Sequence, residues 1–100
     1  MSNLRYDVVA LGYCALDYLA VVPRMPEIDT KLEMLDFLIQ GGGPAATAAV
    51  TAARLGARTA FIGQTGDDGL GRQMLEELAS EGVDTSHTSR SKGARSQFSF

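Results

Sequence analysis

The feature that most constrains this chain is a glycine-rich turn at residues 41–44, Gly-Gly-Gly-Pro, which is followed by an alanine-rich run at residues 45–55. Glycine lets the backbone approach its neighbours closely and adopt positive φ values. Proline suits the first position of a helix, where its missing N–H costs nothing, and Gly56 stands where a left-handed C-terminal cap is expected. The pattern predicts a tight turn that leads into a short, thin helix.

The start of such a helix carries free N–H groups and the positive end of the helix dipole. It can therefore bind an anion or a hydroxyl-rich ligand. The alternative is a tight turn and a closely packed alanine helix that bind no ligand. The spacing alone leaves both interpretations open.

Composition and charge exclude several classes of protein. The 100 residues suffice for one small domain, and a content of 45% apolar and 21% charged residues is typical of a globular chain. A net charge of -3 argues against nucleic acid as the partner. No apolar run reaches the roughly 18 residues of a membrane span, and the single Cys14 has no internal disulfide partner. We expect a cytoplasmic protein that binds neither nucleic acid nor membrane.

Two short apolar runs at residues 6–11 and 57–63 are typical of buried parallel strands. With the helix between them they form a βαβ crossover. Apolar residues at helical spacing predict a second helix over about residues 70–80. Asp67 and Asp68 are expected to cap its start rather than to bind a metal. Residues 83–93 are predicted to be a loop, and a further strand begins at about residue 95.

The segment between the first strand and the glycines predicts a small flap. Residues 18–22 form a strand, residues 23–30 a turn, and residues 31–39 a second strand with apolar side chains on both faces. Two apolar faces could cover a ligand on one side and a second subunit on the other. The alternative is an ordinary strand that is buried inside one core.

Asp17 is the only side chain between Asp7 and Arg24 that is charged at neutral pH, and it follows the end of the first strand, where open α/β sheets place their ligands. Its carboxylate could accept hydrogen bonds from ligand hydroxyls, or it could be a turn residue that bonds nearby backbone N–H groups. Cys14 is expected to be a small buried apolar residue rather than a reactive thiol.

The order of these motifs resembles the N-terminal third of the ribokinase-like (phosphofructokinase-B) family of carbohydrate and nucleoside kinases. A strand ends at Gly12 with Asp17 five residues later, and Gly42 and Gly43 lead into the alanine helix. The sequence Thr-Gly-Asp-Asp follows at residues 65–68. The resemblance runs from about residue 8 to residue 100, and it rests on the combination because either motif alone is weak.

The resemblance implies an α/β fold with a mostly parallel sheet, flanking helices and a small β lid over a sugar. Residues 18–22 and 31–39 would be lid strands, and such lids often pair in homodimers. Asp17 would hold the sugar hydroxyls, and Gly42 and Gly43 would let backbone N–H groups reach the same sugar. Thr47 falls where the family usually has an asparagine, and Ala15 also departs from an asparagine in many sugar kinases. Both departures weigh against plain ribose as the substrate.

The form of the glycine motif looks most like the sulfofructose kinase branch. In that branch a lysine near the start of the second lid strand binds the anionic end of the substrate. Lys31 matches that position, so the resemblance implies an acidic sugar such as sulfofructose or a sugar phosphate.

The implied reaction is transfer of the ATP γ-phosphoryl group to a primary hydroxyl of a sugar, with Mg²⁺. By resemblance, the catalytic aspartate, its anion hole and the ATP pocket lie downstream of residue 100. We therefore expect residues 1–100 to be the N-terminal part of one kinase domain, with no catalytic residue and no metal ligand of their own. The fragment alone is predicted to be inactive.

Two other readings stay open. A non-catalytic sugar-binding relative would share this segment. The spacing of Gly41, Gly43 and Ala46 also loosely matches a dinucleotide-binding fingerprint. That motif needs an acidic residue after the next strand, where Gln64 stands instead, and Pro44 removes a donor from the phosphate loop.

Overall fold

Seven strands and two helices follow one another in a computed structural model that describes residues 4–100. In chain order they are β1 (Val8–Leu11), β2 (Ala15–Val21), β3 (Asp36–Gly42), α1 (Pro44–Arg54), β4 (Thr59–Ile62), β5 (Gln64–Gly66), α2 (Gly69–Ser80), β6 (Ser89–Ser91) and β7 (Phe98–Ser99).

The strands pair in three groups. β1 and β4 are parallel, with Val8 opposite Thr59, which confirms the predicted parallel pair on either side of the alanine helix. β5 and β6 form a second parallel pair. The third group has the order β3-β2-β7, in which β3 runs antiparallel and β7 parallel to the central β2.

The core lies between the two helices and their strands, since α1 packs against β1 and β4 whereas α2 packs against β2 and β5. Phe61 and Leu16 are fully buried there, and burial of an apolar side chain of this size stabilises the fold by roughly 1.5–3 kcal/mol. Ala46 and Ala49 form the buried face of α1, so small side chains let this helix approach the strands closely. The remaining buried members of the cluster are Cys14, Met74, Leu78 and Val83.

The glycine-rich turn is shorter than the sequence predicts. Gly41 and Gly42 belong to β3, where they pair with Leu16 and Ala15 of β2. Gly43 alone makes the turn, with φ of +96° and ψ of 136°, a combination that is adopted almost only by glycine. Helix α1 then starts at Pro44 as predicted.

The C-terminal end of α1 follows the prediction. Gly56 has φ of +95°, and its N–H donates to the carbonyl of Ala53 at 3.0 Å. A glycine in this conformation satisfies the last carbonyls of a helix. The chain then turns directly into β4.

The two strands predicted to form a lid have different bounds in the structure. The first begins at Ala15, and Asp17 therefore lies within a strand, so the turn-residue interpretation is wrong. The second begins at Asp36 rather than at residue 31. Phe37, Leu38 and Ile39 are 40–53% exposed, so a strand buried inside one core is also wrong for the part of the chain described here.

The segments around α2 hold two further corrections. Residues 64–66 are a short strand rather than part of the turn, and Ser89–Ser91 form a strand inside the predicted loop. Asp68 caps α2 as predicted, because its carboxylate accepts from the N–H of Gly71 at 2.8 Å. Helix α2 ends at Ser80, as the spacing of its apolar residues predicts.

The structure predicts that Gly43 and Gly56 tolerate alanine differently. Both have positive φ values, so a Cβ strains the backbone at either site, by about 1–2 kcal/mol at a left-handed position such as Gly56. At Gly43 the Cβ would also lie 2.7 Å from the carbonyl oxygen of Tyr13, whereas at Gly56 no atom of residues 4–100 outside its two chain neighbours lies within 4 Å. We expect Gly43→Ala to lower the free energy of unfolding clearly more than Gly56→Ala, as measured by urea denaturation of the intact protein. Equal losses would show that the approach to Tyr13 is not tight.

Candidate functional site

A cavity of about 580 Å³ lies where the β1–β2 connection, the start of α1 and strand β7 meet. We call it the Asp17 pocket. It is lined by Tyr13, Ala15, Asp17, Gly43, Pro44, Gln97, Phe98 and Ser99. Asp17 is the one carboxylate in this lining, so the pocket presents a single negative charge.

Asp17 is fixed from two sides by the strands next to β2. On one side the hydroxyl of Ser99 in β7 donates to Asp17 Oδ1 at 2.6 Å. On the other side lies Gly42 of β3, where a Cβ would stand 2.2 Å from Asp17 Oδ2. The carboxylate therefore occupies space that only glycine leaves open, which is why a glycine is needed at position 42.

The start of α1 forms another wall of the pocket through Gly43 and Pro44. Within residues 4–100 the N–H groups of Ala45 and Ala46 have no acceptor, because the first intrahelical bond runs from Thr47 N to the Gly43 carbonyl. No side chain among residues 4–100 caps the start of this helix. The unpaired N–H groups and the helix dipole make this end of α1 attractive to an oxygen atom that accepts hydrogen bonds.

Gln97 also lines the pocket, and sequence reasoning missed it. Its side-chain Nε2 donates to the carbonyl of Cys14 and lies 3.5 Å from the carbonyl of Gln64. Two carbonyl oxygens next to Nε2 fix the orientation of the amide. Oε1, which has no donor among residues 4–100, is left to accept a hydrogen bond.

The other predicted site residues lie elsewhere. Thr47 and Gly42 line a separate cavity of about 300 Å³ between α1, α2 and β3, although Gly42 also lies against the Asp17 carboxylate. Lys31 is exposed in the connection between β2 and β3, and it lines neither this cavity nor the Asp17 pocket. The structure therefore brings together Asp17, Gly42 and Gly43 but not Thr47 or Lys31.

Cys14 is buried beside the pocket, as predicted. Its side chain is 2% exposed and belongs to the core cluster. Burial raises the pKa of the thiol, because desolvation disfavours the thiolate. The thiol is thus an apolar packing group, and its neighbouring carbonyl orients Gln97.

Comparison with known proteins assigns the family. The sequence pattern of the pfkB family of carbohydrate kinases matches residues 5–100. The chain belongs to this family. A ribokinase of Haemophilus influenzae is 38% identical over 84% of the chain, and a 5-dehydro-2-deoxygluconokinase of Lacticaseibacillus casei is 39% identical over 83%. These matches cover 28% and 24% of the two relatives, so the chain spans about a quarter of their length.

Solved structures agree on the fold. An uncharacterized sugar kinase from Pyrococcus horikoshii, in complex with ATP, superimposes with a TM-score of 0.73 over 91% of the chain and 28% of its own length, at 26% identity. The architecture is thus the ribokinase-like α/β fold that the motifs predicted, and the chain is a part of it. Within residues 4–100, no helix is long and apolar enough to cross a membrane.

Substitution of Gly42 tests whether the missing Cβ at this position is what leaves room for the Asp17 carboxylate. In Gly42→Ala the Cβ must displace the Asp17 carboxylate, since the glycine has an ordinary negative φ and only the side-chain contact is tight. We expect a crystal structure of this variant of the intact protein to show a changed Asp17 rotamer and a lost Ser99 bond.

Gly41→Ala is the matched control. Its Cβ would meet the far end of the Glu77 side chain at 3.0 Å, and that flexible chain can move aside. Asp17 should keep its position in this variant. An unmoved Asp17 in Gly42→Ala would contradict the steric account of position 42.

Proposed function

We propose that the protein is an ATP-dependent sugar kinase and that this chain supplies the sugar-binding side and the lid. The family and the named relatives, a ribokinase and a 5-dehydro-2-deoxygluconokinase, support phosphoryl transfer to a sugar hydroxyl. The observation that carries the proposal is the Asp17 pocket, where a carboxylate faces the same cavity as the uncapped start of a helix.

The roles of the lining residues follow from their chemistry. Asp17 accepts hydrogen bonds from sugar hydroxyls, and Gln97 Oε1 accepts another. Gly43 at the start of α1 lets the sugar approach backbone N–H groups, which donate to its oxygens. Gly42 acts indirectly, by leaving room for the Asp17 carboxylate. Together these contacts hold the sugar in one orientation, and phosphoryl transfer depends on such positioning more than on covalent chemistry.

ATP and Mg²⁺ are assigned to the part of the protein outside this chain. A related sugar kinase is described in complex with ATP. Within residues 4–100, however, no group of three or more His, Cys, Asp or Glu side chains could hold a metal ion. The residues described here therefore do not fit Mg²⁺, and no step is derived through it.

The exposed lid face is proposed to pair with a second copy of the chain. Leu38 of β3 and Leu19 and Val21 of β2 lie on the same face of one sheet, and they are 41–53% exposed. Exposed apolar area of this kind marks interaction surfaces. A homodimer through the lid is consistent with this exposure.

An acidic sugar is the finer proposal for the substrate. It rests on Lys31, which matches the position of an anion-binding lysine in the branch that the glycine motif resembles. Because Asp17 repels a second negative charge, the anionic end of the sugar would have to face away from it. Thr47 lines the neighbouring cavity and would be a more distant part of the proposed site.

Asp17→Asn tests the sugar-binding role. The amide keeps the size of the side chain and an oxygen for Ser99, but it removes the charge. Loss of a hydrogen bond to a charged group, worth about 1.5–3 kcal/mol, predicts a roughly ten- to hundredfold rise in KM for the sugar. The thermal midpoint should stay unchanged. The measurement is steady-state phosphorylation of a panel of sugars by the intact protein.

Asp36→Asn is the control, because Asp36 is an exposed carboxylate at the far end of β3 from the pocket. Its kinetics should match the wild type. Unchanged sugar KM in Asp17→Asn would remove Asp17 from the site. Sugar binding by the intact wild type without any phosphoryl transfer would favour the non-catalytic relative instead.

Lys31→Ala tests the acidic-sugar proposal. If Lys31 pairs with an anionic group, the variant should lose kcat/KM for sulfofructose and sugar phosphates but keep it for neutral sugars such as fructose and ribose. Lys92→Ala, which removes another exposed lysine, is the control. Equal losses on acidic and neutral sugars would exclude Lys31 as a specificity residue.

A further inference from the structure

Asp68 has more partners than a helix cap needs. Besides the N–H of Gly71, its carboxylate accepts from the backbone N–H of Ser96 at 2.8 Å and from the Ser96 hydroxyl at 2.6 Å. Three donors to one carboxylate stabilise its charged form and hold the pKa of Asp68 at about 2. Two of these bonds leave the helix and reach the segment that leads into β7.

Ser96 continues the connection to β5. The backbone N–H of Gly66 donates to the Ser96 hydroxyl at 2.9 Å, and Ser96 is 5% exposed. The backbones approach closely at this point, since a Cβ on Gly66 would lie 2.4 Å from the carbonyl of Ala94. The half-buried Asp68 and the buried Ser96 and Gly66 therefore form one hydrogen-bonded junction, which we call the Asp68 clamp.

The clamp stands directly before the pocket wall. Gln97, Phe98 and Ser99 follow Ser96, and all of them line the Asp17 pocket. β7 itself is only two residues long, with Phe98 opposite Leu16 and Ser99 opposite Asp17. The bond before it, from Leu16 N to the Gln97 carbonyl, is 3.5 Å long and therefore weak. Because β7 is so short, its own pairing with β2 does little to fix its position along that strand.

From this arrangement we infer that Asp68 is a positioning residue for the sugar pocket, acting through Ser96 on Gln97 and Ser99. The inference rests on the proposed function. If Asp68 only capped α2, the bond to Gly71 would suffice, and the bonds to Ser96 would serve no purpose at the helix. Loosening of the clamp should instead shift Ser99 away from Asp17 and change the orientation of the Gln97 amide.

The test compares Asp68→Ala and Asp68→Asn with the control Asp67→Asn in the intact protein. Asp67 is the neighbouring carboxylate, pairs with Arg90 at 3.3 Å and lies outside the clamp. We expect Asp68→Ala to raise the sugar KM about tenfold while kcat and the KM for ATP stay within about twofold. Asp68→Asn should rescue part of the loss, because its oxygen can still accept from Gly71 and the Ser96 hydroxyl. Asp67→Asn should match the wild type.

If Asp68 only caps α2, the substitution should affect stability and leave the sugar KM alone. The thermal midpoint and the active fraction, and with it the apparent kcat, would fall while the sugar KM stayed unchanged, and this result would overturn the inference. If Asp68→Ala fails to fold, Ser96→Ala removes the same link from its other end and should show the same rise in KM.

Hydrogen exchange separates this inference from the proposed function. A wild-type protein that phosphorylates no sugar in the panel would contradict the proposed kinase activity. The positioning role of Asp68 would then be tested by amide hydrogen exchange alone. Faster amide exchange at Phe98 and Ser99 in Asp68→Asn, with the core of α1 unchanged, would support positioning. Exchange at both residues equal to that of the wild type would overturn it.

Discussion

The close approach of Gly42 to Asp17 is the contact on which the site depends. It fixes the register of β2 against β3, with Ala15 opposite Gly42 and Asp17 opposite Gln40. At this point β2 leaves the core, since Leu16 is fully buried whereas Leu19 is 41% exposed. The carboxylate therefore stands at the boundary where the packed core ends and the exposed part of the β2–β3 sheet begins. A one-residue slip in register would turn it to the opposite face of the sheet.

Local sequence signals were enough for the helices and the parallel pair. Pro44 and Gly56 mark the two ends of α1, and Asp68 marks the start of α2, because caps depend on neighbouring residues only. The same local signals predict that Gly41 and Gly42 belong to the turn. Pairing with β2 overrode it, since a strand partner satisfies the backbone of glycine as well as that of any other residue.

The pocket could be predicted only in part, because its walls come from distant segments. Asp17 and Gly43 were found from their position after a strand and before a helix. Gln97 and Ser99 were not, although the alternation of polar and apolar residues from residue 96 onward indicated a strand. That pattern carries no information on which strand is the neighbour. Ser99 bonds to Asp17 across 82 residues of chain, and only the fold brings them together.

The two walls of the pocket have opposite chemistry, and this limits what can lie between them. The start of α1 carries unpaired N–H groups at Ala45 and Ala46, next to the lining residues Gly43 and Pro44, and favours an acceptor or an anion. Asp17 and Gln97 Oε1 are acceptors, and the carboxylate repels anions. A bare phosphate satisfies the first wall only, and an ammonium group the second only. A hydroxyl satisfies both, because it accepts from an N–H and donates to a carboxylate at the same time. A ligand with several adjacent hydroxyls therefore matches this pocket better than a singly charged group, and the charge of an acidic sugar has to be accommodated outside it.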